Sequence, residues 1–162
     1  MSYQLRRTQV VGGTIEEVFA FFKDHRNLEA ITPPWMGFRI LGSTHEEVQL
    51  GTRIRYRLRV NGLPMGWESL IAEYEEGTMF ADQMLKGPYR RWYHRHQFRQ
   101  VDGGVEIVDQ VDYALPLGPL GRLAHWLVVR RQLDAIFAHR QHAMAERFPL
   151  LQANPEPEAV PA

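Results

Sequence analysis

Between Pro119 and Phe148 the chain commits to one long helix, and that rod limits what the rest can build around it. Pro119 suits a first helical turn, where a missing N–H costs nothing. Neither Gly nor Pro occurs from Arg122 to Arg147, and Pro149 ends the run by disfavouring helical geometry in the residue before it. At about 1.5 Å per residue the rod is about 40 Å long. Trp126, Val129, Leu133, Ile136, Phe137 and Met144 recur at helical spacing and predict one buried stripe. In the first turns Leu120, Leu123, Ala124, Trp126, Leu127, Val128 and Val129 are apolar around most of the circumference, which predicts cover on several sides. A curved sheet supplies such cover, and the chain upstream is written mostly in strand pattern.

A chain of 162 residues fits one domain with one core, expected over residues 1–150, with a disordered tail over 151–162 that carries three prolines and two glutamates. Lys plus Arg and Asp plus Glu both number 19, so charge gives no argument for a nucleic-acid partner. With no cysteine, disulfides, thiolate catalysis and cysteine-held metals are excluded. Met1 to Val11 alternates without an apolar signal core, and no run approaches the ~20 apolar residues of a membrane span. A cytoplasmic protein without stable membrane insertion is the expectation, as monomer or homodimer.

Tyr3 to Val11 alternates as a strand, and Gly12-Gly13 breaks it. Thr14 with Glu17 is a capping box opening a short helix whose buried side is Ile15, Val18, Phe19 and Phe22. A second short helix covers about Arg26 to Ile31 and is ended by Pro33-Pro34. Strands follow at Phe38–Leu41, Thr52–Val60, Met65–Tyr74, Met79–Leu85, Arg90–Val101 and Val105–Leu115. In Thr52–Val60, Ile54, Tyr56, Leu58 and Val60 alternate with Arg53, Arg55, Arg57 and Arg59, giving one dry and one wet face. Asn61-Gly62 signals a type I′ hairpin, and turns at Glu76-Gly77, Gly87-Pro88 and Gly103-Gly104 continue the meander. The fold class is α+β, with about seven antiparallel strands curved around the C-terminal helix and two short helices after the first strand.

Three stretches carry a family resemblance: Ile31-Thr32-Pro33-Pro34-Trp35, Gly87-Pro88-Tyr89 with Trp92, His94, His96 and Phe98, and Tyr113 to Gly121. With the element order, they resemble the START-like superfamily, also called the SRPBCC, helix-grip or Bet v 1-like fold, and within it a bacterial SRPBCC group. The resemblance covers about residues 3 to 148. It implies a hydrophobic cavity between the sheet and the last helix, and carries over no catalytic set.

Strand parity predicts which polar residues face that cavity. In Arg90–Val101 the even positions Trp92, His94, His96 and Phe98 form the dry face. A two-residue Gly103-Gly104 turn places Val105, Ile107, Asp109, Val111 and Tyr113 beside them. A two-residue turn at Gly87-Pro88 adds Ala81, Gln83 and Leu85. Met65–Tyr74 is ambiguous: one hairpin turns Trp67, Ser69 and Ile71 inward, the other Leu70 and Ala72, unless a bulge reconciles them.

His94, His96 and Asp109 are then either acid–base groups at the cavity or a satisfied buried network, since a carboxylate partner fixes an imidazole's tautomer. A metal on His94 and His96 needs a third ligand, for which His125, His139 or Asp109 are the choices; no metal and no cofactor is expected. Trp35, Trp67, Trp92 and Trp126, with Tyr56, Gln83, Phe98, Val111, Tyr113, Val129 and Leu133, complete the expected ligand-binding set. The arginine row, and His139, Arg140 and His142, read as solvated faces. The segment Leu115 to Gly121 reads as a gate or as a rigid connector.

The first functional expectation is binding, and transport, of a small hydrophobic molecule: a lipid, aromatic or polyketide-like compound. A polyketide aromatase/cyclase- or dehydratase-type enzyme using His94 or His96 with Asp109 is the alternative. A regulator acting through protein contacts comes third.

Overall fold

The computed structural model describes residues 2–150, and the segment expected to be a disordered tail lies outside the described residues. The elements in order are β1 (Tyr3–Val11), α1 (Ile15–Lys23), 3₁₀ turns at His25–Leu28 and Pro34–Met36, then β2 (Arg39–Ser43), β3 (Arg53–Val60), β4 (Leu63–Glu75), β5 (Met79–Lys86), β6 (Arg91–Val101) and β7 (Gly104–Ala114). A helical run follows as α2 (Gly118–Ala124), a π-helical turn (His125–Val129) and α3 (Arg130–Arg147). All seven strands form one antiparallel sheet in the order β1-β7-β6-β5-β4-β3-β2. This is the expected helix-grip architecture.

Local chemistry accounts for most boundaries. The Thr14 hydroxyl accepts from the Glu17 N–H, and the Glu17 carboxylate accepts from the Thr14 N–H at 2.9 Å. Asn61 and Gly62 have φ of 51° and 81°, as a type I′ turn requires. Ile54 and Leu58 are buried while Arg53, Arg55, Arg57 and Arg59 face solvent. The helix expected from Arg26 is a single 3₁₀ turn, and Pro34 opens a second turn instead of merely ending the first.

The β6–β7 pairing keeps the predicted faces, but the turn is Asp102-Gly103 rather than Gly103-Gly104, which sets His94 opposite Val111 and His96 opposite Asp109. The β5–β6 register is not. The pair nearest the connection is Gln83 with Tyr93, which encloses nine residues, an odd number where a two-residue turn implies an even one, so Phe80 pairs with His96 and Asp82 with His94. Every β5 side chain therefore changes face. Phe80, Asp82 and Met84 turn inward, and the expected inward residues Gln83 and Leu85 are exposed. In β4 the ambiguity is settled by a bulge between Ile71 and Glu73, which keeps Trp67, Ser69 and Ile71 inside.

Two apolar clusters fill the space between sheet and helices. One lies under α1, where Phe19, Phe22, Phe80 and Phe98 meet Met144. The other joins Leu58, Trp67, Trp92 and Val111 to Leu133 and Phe137 of α3. The stripe holds from Leu133 onward and fails before it. Leu120, Leu123, Trp126, Leu127 and Val128 are exposed, Trp126 by 72%. Their expected cover is absent because the π-helical turn directs His125, not Trp126, toward the sheet. His125 stacks on Tyr3 at 3.6 Å and pairs with the Tyr113 hydroxyl at 2.8 Å.

The other end of the helix is tied to the first strand. The Gly12 N–H donates to the Phe148 carbonyl at 2.8 Å. A Cβ on Gly12 would stand 2.0 Å from the Pro149 carbonyl oxygen, so only glycine permits the approach. Gly12→Ala is expected to cost about 1–3 kcal/mol through forced backbone displacement; an unchanged denaturant midpoint would refute this anchoring. Phe137→Ala, which empties a core position, is expected to cost about 3–5 kcal/mol. Trp126→Ala is expected to stay within about 0.5 kcal/mol, and the same chemical denaturation series compares the two.

Candidate functional site

A cavity of about 170 Å³ lies between the middle strands, the segment Asn27–Phe38 and one face of α3. Its apolar wall includes Tyr56, Trp67, Trp92, Ile136 and Phe137. The aromatic groups brace one another: Trp67 and Trp92 meet edge to face at 5.4 Å, and Tyr56 stacks on Trp67 at 5.9 Å. Such rigid rings hold an open space that flexible side chains would fill.

One corner of the wall is polar, formed by Ser69, Asp82, His94, His96 and Arg140. His94 Nε2 lies 2.9 Å from Asp109 Oδ1, and His96 Nε2 lies 3.1 Å from Asp82 Oδ2. Asp109 itself sits behind the histidines, also 2.9 Å from His96 Nδ1. Arg140 reaches in from α3, with Nη2 3.2 Å from His96 Nδ1 and 3.7 Å from Asp109 Oδ1. The network continues outward: Ser69 donates to Asp82 Oδ1 at 3.3 Å and accepts from the Trp67 indole N–H at 3.0 Å.

Burial governs the electrostatics. It pushes His94 down to about 4, helped by the like charge of His96 and against the pull of Asp109 and Asp82. For Asp109, burial alone would raise the pKa; the Arg140 guanidinium, with the hydrogen bonds from His94 and His96, outweighs it and holds the carboxyl well below the ordinary value. For Asp82, burial is likewise outweighed, first by the His96 hydrogen bond and then by the charges of the histidines and Arg140. The cluster at neutral pH thus holds ionised carboxylates beside a neutral His94.

Of the residues expected from sequence, Tyr56, Trp67, Trp92, His94, His96 and Leu133 line the cavity. Phe98 belongs to the core under α1, Val111 and Tyr113 are packed core, and half-buried Val129 packs against that core. Gln83 faces outward by the register change described above. Trp35 is exposed at the edge of its 3₁₀ turn, against His139, and Trp126 is exposed beyond the sheet. Parity missed Asp82. Arg140, expected on a solvated face, is half-buried, with its side chain only 11% exposed. The signal for Arg140 was present: it continues the spacing of Leu133, Phe137 and Met144 along the buried stripe.

A curved antiparallel sheet closed by a C-terminal helix over such a cavity is the START-like, helix-grip fold. More particularly, the chain belongs to the family described as "Domain of unknown function (DUF8410)", whose model matches residues 10–148. No curated protein matches the chain in sequence. Among solved structures it is similar to protein Ms6760 from Mycobacterium smegmatis, at 15% identity and TM-score 0.62, over 89% of this chain and 92% of that one. The Bet v 1-like protein Ara h 8.0201 superposes with TM-score 0.60 at 15% identity, over 90% and 99%. A Thalictrum norcoclaurine synthase point mutant in complex with a transition-state analogue superposes with TM-score 0.63 at 11% identity, over 91% and 96%. At these identities the likeness is one of fold. Among the described residues no helix is long and apolar enough to cross a membrane.

The cluster predicts a pH dependence. His94 has its folded pKa below the ordinary 6.5, so the unfolded chain binds more protons between about 4 and 6.5. Its contribution to stability is complete above 6.5 and is lost as pH falls toward 4. The lowered carboxyl groups act in the same sense at still lower pH, below about 3.8. Melting temperature is expected to fall from pH 7 to pH 4, and His94→Gln to flatten that slope. A wild-type melting temperature independent of pH across this window would contradict the assignment.

Proposed function

We propose that the protein binds a small, largely apolar molecule in the cavity between the sheet and the C-terminal helix, with a polar substituent held by the His94, His96, Asp82 and Arg140 corner. The observation carrying this reading is the cavity itself: about 170 Å³ walled by braced aromatic rings, with a hydrogen-bonded polar corner of Asp82, His94, His96 and Arg140. One or a few convergent polar groups in an apolar cleft are the usual form of a small-molecule site. The volume is close to the ~150 Å³ of an engineered cavity that accepts benzene. It suits an aromatic or compact polyketide-like compound better than a two-chain lipid. A second reading is a cyclase- or dehydratase-type enzyme. The His94–Asp109 pair favours it, because an imidazole on the cavity wall, oriented by a carboxylate, presents its other ring nitrogen to a bound molecule.

Native mass spectrometry of freshly purified protein, followed by titration with an environment-sensitive naphthalene dye, tests the binding reading. One small molecule or one dye per chain is expected. Ile136→Trp, which fills the cavity, is expected to weaken dye binding at least ~10-fold, about 1.4 kcal/mol. Dye affinity unchanged in that variant would overturn the reading. If the enzyme reading holds, His94→Gln removes turnover and leaves dye affinity intact.

A further inference from the structure

We propose that Asp82, His94 and His96 form a binding site for a divalent transition-metal ion of the Zn²⁺ class, open toward the cavity. Sequence reasoning set a metal aside for want of a suitable third ligand, and the β5 register supplies it. One donor atom from each of the three residues lies within 4.8 Å of the others. Asp82 Oδ2 is 3.1 Å from His96 Nε2 and 3.7 Å from His94 Nδ1. Ligands about 2.1 Å from a tetrahedral ion stand about 3.4 Å apart, so these edges bracket the required spacing. Side-chain adjustment within the 4.8 Å span of the three donors would close the set. Two imidazoles and one carboxylate are a donor set that zinc-class ions accept, with a remaining position for water or ligand.

Hydrogen bonding points the same way. His94 donates its Nε2–H to Asp109, which leaves Nδ1 as a bare lone pair facing the Asp82 carboxylate at 3.7 Å. Two acceptors confront each other there, and a cation between them satisfies both. At His96 an ion would take the Nε2 side that faces Asp82, while Nδ1 keeps its contacts with Asp109 and Arg140. Asp109 stands behind both rings, 2.9 Å from His94 Nε2 and 2.9 Å from His96 Nδ1, where a carboxylate orients histidine ligands. Finally, Asp82, His94 and His96 line the cavity whereas Asp109 does not, so an ion held there presents its open side to a bound molecule.

This inference deepens the small-molecule reading, and it is tested separately. The full chain is stripped with chelator and titrated with Co²⁺, reading the visible bands of a four- or five-coordinate site, then with Zn²⁺ in competition. One Co²⁺ per chain, displaced by Zn²⁺, is expected. Asp82→Asn and His94→Gln are each expected to abolish that stoichiometric binding with far-ultraviolet circular dichroism unchanged. Asp109→Asn is expected to weaken binding roughly 10- to 100-fold as a positioning residue. Should a variant fail to fold, Zn²⁺-dependent shifts of the His94 and His96 ring protons in the wild-type protein give the same answer. Absence of Co²⁺ bands in the wild type, or binding that survives loss of Asp82 and His94, overturns the proposal. Dye binding in the stripped protein distinguishes the outcomes: an occupied cavity without metal affinity refutes the ion and leaves the cavity reading standing.

Discussion

A single guanidinium crosses from the C-terminal helix to the sheet, and the interior is arranged around its charge. Arg140 is almost fully enclosed, and a charge so placed is tolerated only when paired. Its partner Asp109 is equally enclosed on β7, so each group makes the other's burial possible. The rest of the polar corner follows: the histidines must lie between the carboxylates, and the helix must sit where Arg140 reaches them. Outside this point, the helix is held by the Arg7–Asp134 ion pair, by Gln141 donating to the Thr8 carbonyl at 3.2 Å, and by the Gly12 contact at its far end.

The cavity survives beside this pair because its walls do not collapse. Trp67, Trp92, Tyr56 and Phe137 are held in mutual contact and against the strands, and removing volume from the space would require several rings to leave their packed positions together. The polar corner does not fill it either, since hydrogen bonds hold His94 to Asp109 and His96 to Asp82. An apolar space with fixed, unequal ends selects orientation as well as size in anything that enters it.

Architecture was legible where local chemistry and alternation agree. The arginine row on β3, the capping box at Thr14, the Asn61-Gly62 turn and the faces of β6 and β7 each follow from a handful of neighbouring residues. What failed depended on counting through irregular connections. The β5–β6 connection encloses an odd number of residues between paired positions where the assumed turn implies an even one, so Asp82 and Gln83 exchanged faces, and the bulge in β4 offsets that strand separately. The helix failed in a similar way. A uniform 3.6-residue period puts Trp126 on the stripe, but the π-helical turn changes the phase just there and brings His125 in. Arg140 was misread for a different reason: its position said buried and its charge said exposed, and only Asp109 across the gap decides between them.

The bulge between Ile71 and Glu73 has a consequence for how this chain tolerates change in length. On its N-terminal side β4 sends odd-numbered side chains inward, and beyond it Tyr74 pairs with inward-facing Phe80. The chemistry of the polar corner is therefore encoded partly as a number of residues rather than as their types. Loss of the single codon for Ala72 would leave every catalytic-looking side chain present in the gene while offering β5 a different alignment. Insertions and deletions in β4, not substitutions, are the changes to which the site's composition is most exposed.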